Sequence, residues 1–417
     1  MHMKVNQERI LSRLEEIYQC GAMEDGTHTR MAYSAQDIKG RETFIRYFRD
    51  LGIEPRMDEA GNLFFRMEGK NPALPAILTG SHLDTVPDGG KFDGAVGCVG
   101  ALEVFQTLIE NHIVLEHPLE AVVFTDEEGF RFGSGLLGSS AICGKELAIQ
   151  DDDLDMYGST RAEVFRSYGI KASEAGKAKR PAESVHCFLE LHIEQGGTLY
   201  KKKIPIGVVS SIAGVARYEI VVTGEANHAG STVMEDRKDA LAAAADFISK
   251  VPEIVAKNGN HFTVATVGTI KVTPNSVNVI PGTCTFQLEI RDQDSAVMEK
   301  IEQELRSLMN DVQNKWKIMY TFDKFSDHAP APMSEAAEGA IEESVKEMGI
   351  PYTVLPSGAF HDSLIMTSVF PTGMIFVPSE KGISHSRYEL TESGDIAQGV
   401  ELLFNTVRRV DNMKISC

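Results

Sequence analysis

Apolar residues recur along this chain with two different periods. In KVNQERILSRLEEIYQC, residues 4–20, Ile10, Leu11, Leu14 and Ile17 fall at helical spacing and predict an amphipathic helix. From residue 40 to 210, apolar runs of strand character alternate with helical patterns: PAILTGSHLDT, AVGCVGALEVFQTLIEN, PLEAVVFTDEE and VHCFLELHIEQ. That alternation predicts an α/β layer architecture, in which ligands gather at the carboxyl ends of strands.

A different order follows. RYEIVVTGEA reads as a strand, DRKDALAAAADFISKVPEIVAKN as a helix, FTVATVGTIKV and SVNVIPGTCTFQLEIRD as strands, SAVMEKIEQELRSLMNDVQNKW as a helix and KIMYTFDKF as a strand. This β-α-β-β-α-β series over residues 213–327 matches the split βαβ unit and predicts a compact inserted domain. Beyond DHAPAPM, the helical EAAEGAIEESVKEMG, the strand-like PTGMIFVPSE and the helical SGDIAQGVELLFNTVRRV restore the earlier style. The expected organisation is a discontinuous main domain, residues 1–212 with 328–417, interrupted by a smaller one at 213–327. A chain of 417 residues exceeds the size at which one core usually keeps growing, which agrees with two domains.

Composition removes several function classes. Hydrophobic residues at 42% and charged residues at 24% are ordinary for a globular protein. A net charge of −19 without any basic run repels phosphate backbones and anionic lipid, so neither nucleic acid nor membrane is an expected partner. Residues 4–20 lack the unbroken apolar core of a signal peptide, and no stretch approaches a bilayer-crossing run. The six cysteines are scattered without a CxxC pair, which argues against a disulfide framework and a thiolate zinc site and fits reduced thiols in a cytoplasm.

Polar residues of one kind collect where apolar runs end. Side chains two apart on a strand point the same way, so His82 and Asp84 would project together, either as a metal ligand with its carboxylate partner or as a surface histidine beside a turn aspartate. Asp93, in GGKFDGAVG, precedes a helical pattern and reads equally as an N-cap or as a carboxylate approaching cations. AVVFTDEEGF ends an apolar strand in Asp126, Glu127 and Glu128, a crowding of carboxylates that is costly unless cations or water neutralise it. Adjacent side chains diverge, so one glutamate could ligate while the other serves as a base. FLELHIEQGG adds His192 and GISHSRYE adds His385. Together these histidines and carboxylates form a mixed N/O set suited to a pair of zinc-like ions, and a two-metal hydrolase becomes the leading expectation.

The ordered series GSHLDT, GGKFDG, FTDEEGFRF, ELHIEQG, GEANHAGST, PNSVNVIPG, LEIRD, SGAFHD and GISHS resembles the dinuclear metallohydrolases related to carboxypeptidase G and aminoacylases. Within them it resembles the branch of allantoate amidohydrolases and N-carbamoyl-L-amino-acid hydrolases. The resemblance implies a zinc-exopeptidase-like α/β catalytic domain with an inserted ferredoxin-like βαββαβ domain serving as lid and dimer contact. It implies two divalent ions per subunit, zinc first, with manganese, cobalt or nickel as alternatives. His82 and His192 would hold one ion, Glu128 and His385 the other, and Asp93 would bridge them. Glu127 would be the catalytic base, and Asp84 would buttress His82. In peptidase-like relatives the position of His192 is usually a carboxylate, so HIEQG points to the ureido-cleaving branch.

In the inserted domain, His228 resembles the residue that steadies the substrate carbonyl, often across a dimer interface. Asn278, Arg291 and Gln195 resemble substrate-binding positions, with Arg291 a natural fork for a carboxylate. Gly358 and Ala359 resemble pocket residues. Here the family's usual SGAGHD is SGAFHD, so Phe360 replaces a glycine and His361 follows it. The implied partners are a small carboxylate-bearing ureido substrate and a second copy of the chain. The implied reaction is hydrolysis of an N-carbamoyl-L-amino acid, with allantoate, an acyl amino acid or a dipeptide as alternatives. A catalytically silent binding protein on the same fold is the reading from a different class.

Overall fold

The structure, a computed structural model, describes residues 4–415. It divides into two compact units, one formed by Met1–Ser210 and Pro332–Cys417, the other by Ser211–Ala331.

The first unit is built on a nine-stranded mixed sheet. Its central strands are parallel: Leu119–Phe124, Ala76–His82, Val185–Ile193 and Thr372–Val377 lie side by side in that order. Every residue of these four strands is buried, as expected for parallel strands covered on both faces. Pro55–Met57 and Leu63–Met67 extend one side antiparallel, and Ile206–Ile212 the other. The helices Gln7–Cys20, Ala95–Glu110, Glu335–Met348 and Ser393–Val410 supply the core residues Leu14, Val99, Ile341 and Leu403, which share one buried core with Ile77 and Leu189 of the sheet. The first helix begins where the Asn6 side chain accepts from Arg9 N at 3.0 Å, and it buries Ile10, Leu14 and Ile17 while Leu11 is only half-buried.

The second unit is a four-stranded antiparallel sheet in the order Met319–His328, Gly214–Thr223, Thr283–Asp292, Val264–Thr273. In sequence terms that is fourth, first, third, second, the ferredoxin-like arrangement. Ile301, Leu305 and Met309 of the helix Ser295–Trp316 join Phe247 of Ala240–Ile248 over Ile220, Phe286 and Ile290 of the sheet. Two expected elements are broken. The helix expected over 236–258 divides into Ala240–Ile248 and Val251–Asn258, because Pro252 lacks an N–H and is accommodated only in the first turn of a new helix. The expected strand 276–292 divides at Pro281-Gly282, so that Val279–Ile280 pairs with Asn227–His228.

No helix among the described residues is long and apolar enough to cross a membrane. Cys20, Cys98, Cys143, Cys187 and Cys284 are free and buried, and Cys417 lies outside the described residues.

Candidate active site

The parallel register brings the carboxyl ends of four strands to one edge of the sheet. His82 closes Ala76–His82 opposite Phe124, after which the chain turns through Asp126, Glu127 and Glu128. His192 sits opposite Phe376, and the loop beyond Val377 carries His385. Asp93 arrives on the loop before the helix Ala95–Glu110. Gly94 separates it from that helix with φ 61° and ψ −46°, a positive-φ conformation that glycine reaches without the clash a side chain would bring.

His82, Asp93 and His192 bring one donor atom each to within 4.8 Å of one another, as do His82, Glu127 and Glu128, and also Asp93, Glu128 and His385. Asp93 is central: Oδ1 lies 3.4 Å from His82 Nε2 and 3.3 Å from His192 Nε2, and Oδ2 lies 3.4 Å from His385 Nε2. Glu127 Oε2 is 3.8 Å from His82 Nε2, and Glu128 Oε2 is 3.6 Å from His385 Nε2. Of these side chains only that of His385 is open to solvent, at 49%.

This donor set fits a divalent cation. His82 Nδ1 lies 3.0 Å from the Asp84 carbonyl and His192 Nδ1 lies 3.0 Å from the Ile193 carbonyl. A carbonyl only accepts, so each Nδ1 carries a hydrogen and Nε2 is the ring atom turned toward Asp93 Oδ1. Burial pulls both rings down, but the carboxylates around them, Glu127 first at His82 and Asp93 at His192, outweigh it and raise them above the usual imidazole range. Gly94 N, which donates to His192 Nε2 at 3.1 Å, agrees with that tautomer. The buried carboxylates call for positive charge at this point, and a divalent cation would supply it with both Nε2 atoms as ligands. Glu128 Oε1 is likewise buried with no hydrogen-bond partner. A further triplet, Glu190, His192 and His361, is less suited, because Glu190 already accepts from Ser81 Oγ at 2.7 Å and from Ser363 N at 3.1 Å.

Charge follows the same geometry. Burial pushes the Glu127 carboxyl well above the usual range, and Glu128, Asp362 and Asp84 push the same way against His82. Burial, then the charge of Asp93, moves Glu128 up to about 7. For Asp93 burial acts upward too, but His192, His385 and His82 hold it well below the carboxylate range. Asp126 stands outside the three groups, its carboxyl held high by burial and by Asp84.

Asp84 differs from the expected buttress. Its carboxylate is 3.8 Å from His82 Nδ1, whose contact is with the Asp84 carbonyl instead. The carboxylate accepts from Glu127 N at 3.3 Å and Glu128 N at 3.1 Å and so holds the turn presenting both glutamates. Gln195 joins the cluster, its Nε2 donating to Asp93 Oδ2 at 2.6 Å and lying 3.1 Å from His385 Nε2. Gly358 and Ala359 lie in a turn closed by Ala359 N donating to Ser357 Oγ at 3.1 Å. That hydroxyl is 3.1 Å from His361 Nε2, and the His361 ring packs 4.4 Å from that of His192.

The three remaining expected residues belong to the second unit. His228 and Asn278 are neighbours there, since His228 pairs with Val279 and Ala229 N donates to the Asn278 carbonyl at 3.0 Å. Arg291 is not with them: it lies eight residues along the strand from Thr283, about 26 Å at strand rise. Its Nε donates to Glu289 Oε1 at 2.6 Å, and Arg217 Nε takes the other oxygen at 2.7 Å. Sequence reasoning missed Glu389 and Ser384, which hydrogen-bond around Asp93, and Glu190 beneath His192. Only Glu190 left a signal, a carboxylate inside the apolar run FLELHI.

A parallel-centred sheet whose strand ends gather histidines and carboxylates, with a ferredoxin-like unit inserted in the chain, defines the zinc-exopeptidase-like fold. Comparison with known proteins gives the family. The model of Peptidase family M20/M25/M40 matches residues 78–409, and the chain belongs to that family. It is 37% identical over 400 residues to the N-carbamoyl-L-amino acid amidohydrolase of Geobacillus stearothermophilus, covering 96% of this chain and 97% of that one. It is 35% identical to the allantoate amidohydrolase of Escherichia coli (strain K12), covering 92% and 93% respectively. A solved amidase of the hydantoinase/carbamoylase family from Burkholderia multivorans superposes with a TM-score of 0.89 at 34% identity, over 99% of this chain and all of that one.

Proposed function

We infer that this chain is a metal-dependent hydrolase of linear carbon–nitrogen bonds other than peptide bonds, acting on N-carbamoyl-L-amino acids to release the amino acid, carbon dioxide and ammonia. The observation that carries the reading is the convergence of His82, Asp93, Glu128, His192 and His385 on common points, in a chain similar over nearly its whole length to an N-carbamoyl-L-amino acid amidohydrolase. Allantoate is the second reading, favoured by the near-equal similarity to an allantoate amidohydrolase.

His82 and His192 would hold one ion, Glu128 and His385 the second, with Asp93 shared between them; zinc suits the set, and manganese, cobalt and nickel are admitted by the same donors. Two such ions supply Lewis acidity toward the scissile carbonyl and lower the pKa of water from 15.7 to about 7. Glu127, buried and biased toward holding a proton, takes the proton of the attacking water and returns it to the leaving nitrogen. His228 Nδ1 accepts from Gly230 N and Ser231 N at 3.0 and 3.2 Å, which leaves Nε2–H exposed as a donor toward a carbonyl oxygen. Arg291 binds the substrate carboxylate, and Gln195, Asn278, Gly358 and Ala359 complete the pocket.

Arg291 lies about 26 Å at strand rise from Thr283, the strand end from which the chain leads back to the Asn278–His228 pair, so one copy of the second unit is poorly placed to offer both to a single small substrate. That separation supports a homodimer in which a partner subunit completes each site, with the inserted unit as lid and contact surface. A cytoplasmic setting accords with the five free, buried cysteines.

The test is ammonia release by the zinc- or manganese-loaded protein against N-carbamoyl-L-amino acids, allantoate and 3-ureidopropionate, beside acyl amino acids and dipeptides. Turnover of carbamoyl amino acids is expected. Cleavage of acyl amino acids or dipeptides without any ammonia from ureido substrates would sink the reading.

A further inference from the structure

Glu389 is not one of the cation-facing residues, yet its carboxylate is buried and engages both loops that bring them together. Oε1 accepts from Phe92 N at 2.8 Å and from Asp93 N at 3.1 Å. Oε2 lies 3.0 Å from Ser384 Oγ, and the same hydroxyl lies 3.1 Å from Asp93 Oδ2. Phe92 and Glu389 are 297 residues apart, so no local turn explains the contact. The chain also makes room for it: a Cβ on Gly90 would fall 2.1 Å from Glu389 Oε1. A buried carboxylate beside Asp93 carries a desolvation and repulsion cost that an apolar residue of similar size would avoid. What it provides in return is main-chain placement.

We propose that Glu389 is a positioning residue of the metal centre, fixing the backbone at Asp93 and, through Ser384, the loop that presents His385. The proposal rests on the two-ion reading above. It bears unequally on the two halves of the centre. His82 and His192 are oriented by the carbonyls of Asp84 and Ile193, which Glu389 does not touch. Asp93 and His385 ride on loops whose register depends on it, so its loss acts most on the ion of Asp93, Glu128 and His385, which loses the placement of two ligands, and less on the ion of His82 and His192, for which only the shared Asp93 is disturbed.

The test is zinc binding by the metal-stripped full-length protein, read by competition with a chromophoric chelator. Wild type takes two equivalents. In Glu389→Ala one equivalent weakens by about tenfold to a hundredfold while the other weakens by clearly less, at least about threefold less. Glu389→Gln keeps both, because its amide oxygen can accept from Phe92 N and Asp93 N while its NH2 donates to Ser384 Oγ. Gly90→Ala pushes the carboxylate away from outside the centre and reproduces the selective loss, which keeps the test open if Glu389→Ala fails to fold. A purely structural role would lower thermal stability and weaken both equivalents alike. The proposal is overturned by two wild-type equivalents in Glu389→Ala or Gly90→Ala, by equal weakening of both, or by Glu389→Gln as defective as Glu389→Ala. Fewer than two equivalents in wild type overturns the two-ion reading itself, a result distinct from wild-type binding in the variants.

Discussion

Replacing Gly94 by alanine tests whether the His82 ring is held where a cation needs it. Two costs can be worked out separately. At φ 61° and ψ −46°, a sparsely populated region for a residue with a side chain, an alanine pays backbone strain of about 1–3 kcal/mol. Its Cβ would also lie 2.5 Å from His82 Cε1 and 2.6 Å from both ring nitrogens. Unstrained contact needs about 3.5 Å, so the ring must retreat by about 1 Å. Its hydrogen bond to the Asp84 carbonyl and the shared geometry at Asp93 oppose that retreat. Gly26→Ala is the control, because Gly26 has φ 80° with no atom within 4 Å of the added carbon. Both variants should melt a few degrees lower. Only Gly94→Ala should lose metal affinity, by about tenfold or more, and turnover, by about a hundredfold, the usual consequence of a 1 Å misplacement. Chelator competition and ammonia release measure the two losses. If Gly94→Ala keeps wild-type affinity and turnover while melting like Gly26→Ala, the ring is not part of a metal centre.

Glu127→Gln should lower kcat by about a hundredfold to ten-thousandfold with metal content intact, and a loss of less than about tenfold in ammonia release would remove Glu127 as the base. Mixing inactive His228→Ala and Arg291→Ala homodimers, with subunit exchange, should restore about a quarter of wild-type turnover, since a hybrid carries one site with both residues intact; no recovery after verified exchange would refute sharing of the site between subunits. Asp37, whose carboxyl burial raises from 3.8 to about 6 against the pull of Arg41, should make stability depend on pH. A raised carboxyl favours the folded state most below about 4 and loses that contribution as pH rises through about 6, so the lead of wild type over Asp37→Asn in melting experiments should shrink by about 1 kcal/mol between about pH 5 and pH 8. A gap that is constant with pH would contradict the shift.

The elements that sequence periodicity found are those long enough to display a period. The 22-residue helix Ser295–Trp316 follows its apolar pattern from end to end. By contrast Leu137–Ile142, Arg161–Phe165 and Ala172–Ala175 span six, five and four residues, less than two turns each, and offer no repeat to read. The strand Ile206–Ile212 is masked in the sequence, because Pro205 and Gly207 read as turn residues just where the strand begins. Pro252 and Pro281 were visible in the sequence, but whether a proline ends an element or opens the next depends on how the chain packs on either side.

Within the site, legibility followed whether a residue works through its side-chain chemistry or through placement of another. His82, Asp93, Glu127, Glu128, His192 and His385 have ligand or base chemistry at apolar run ends, and the fold brings all six together. Gly94 and Glu389 work by geometry, and neither type nor spacing distinguishes them from turn residues. The two-residue rule itself shows the boundary. Glu289 and Arg291 lie inside a strand, keep the alternation and form an ion pair at 2.6 Å. Applied to His82 and Asp84 the same rule fails, because the strand ends at His82. Past that point the chain turns, the Asp84 carbonyl meets the ring, and the freed carboxylate reaches the amides of Glu127 and Glu128 instead. Asp84 thereby links the His82 strand to the turn that bears the base.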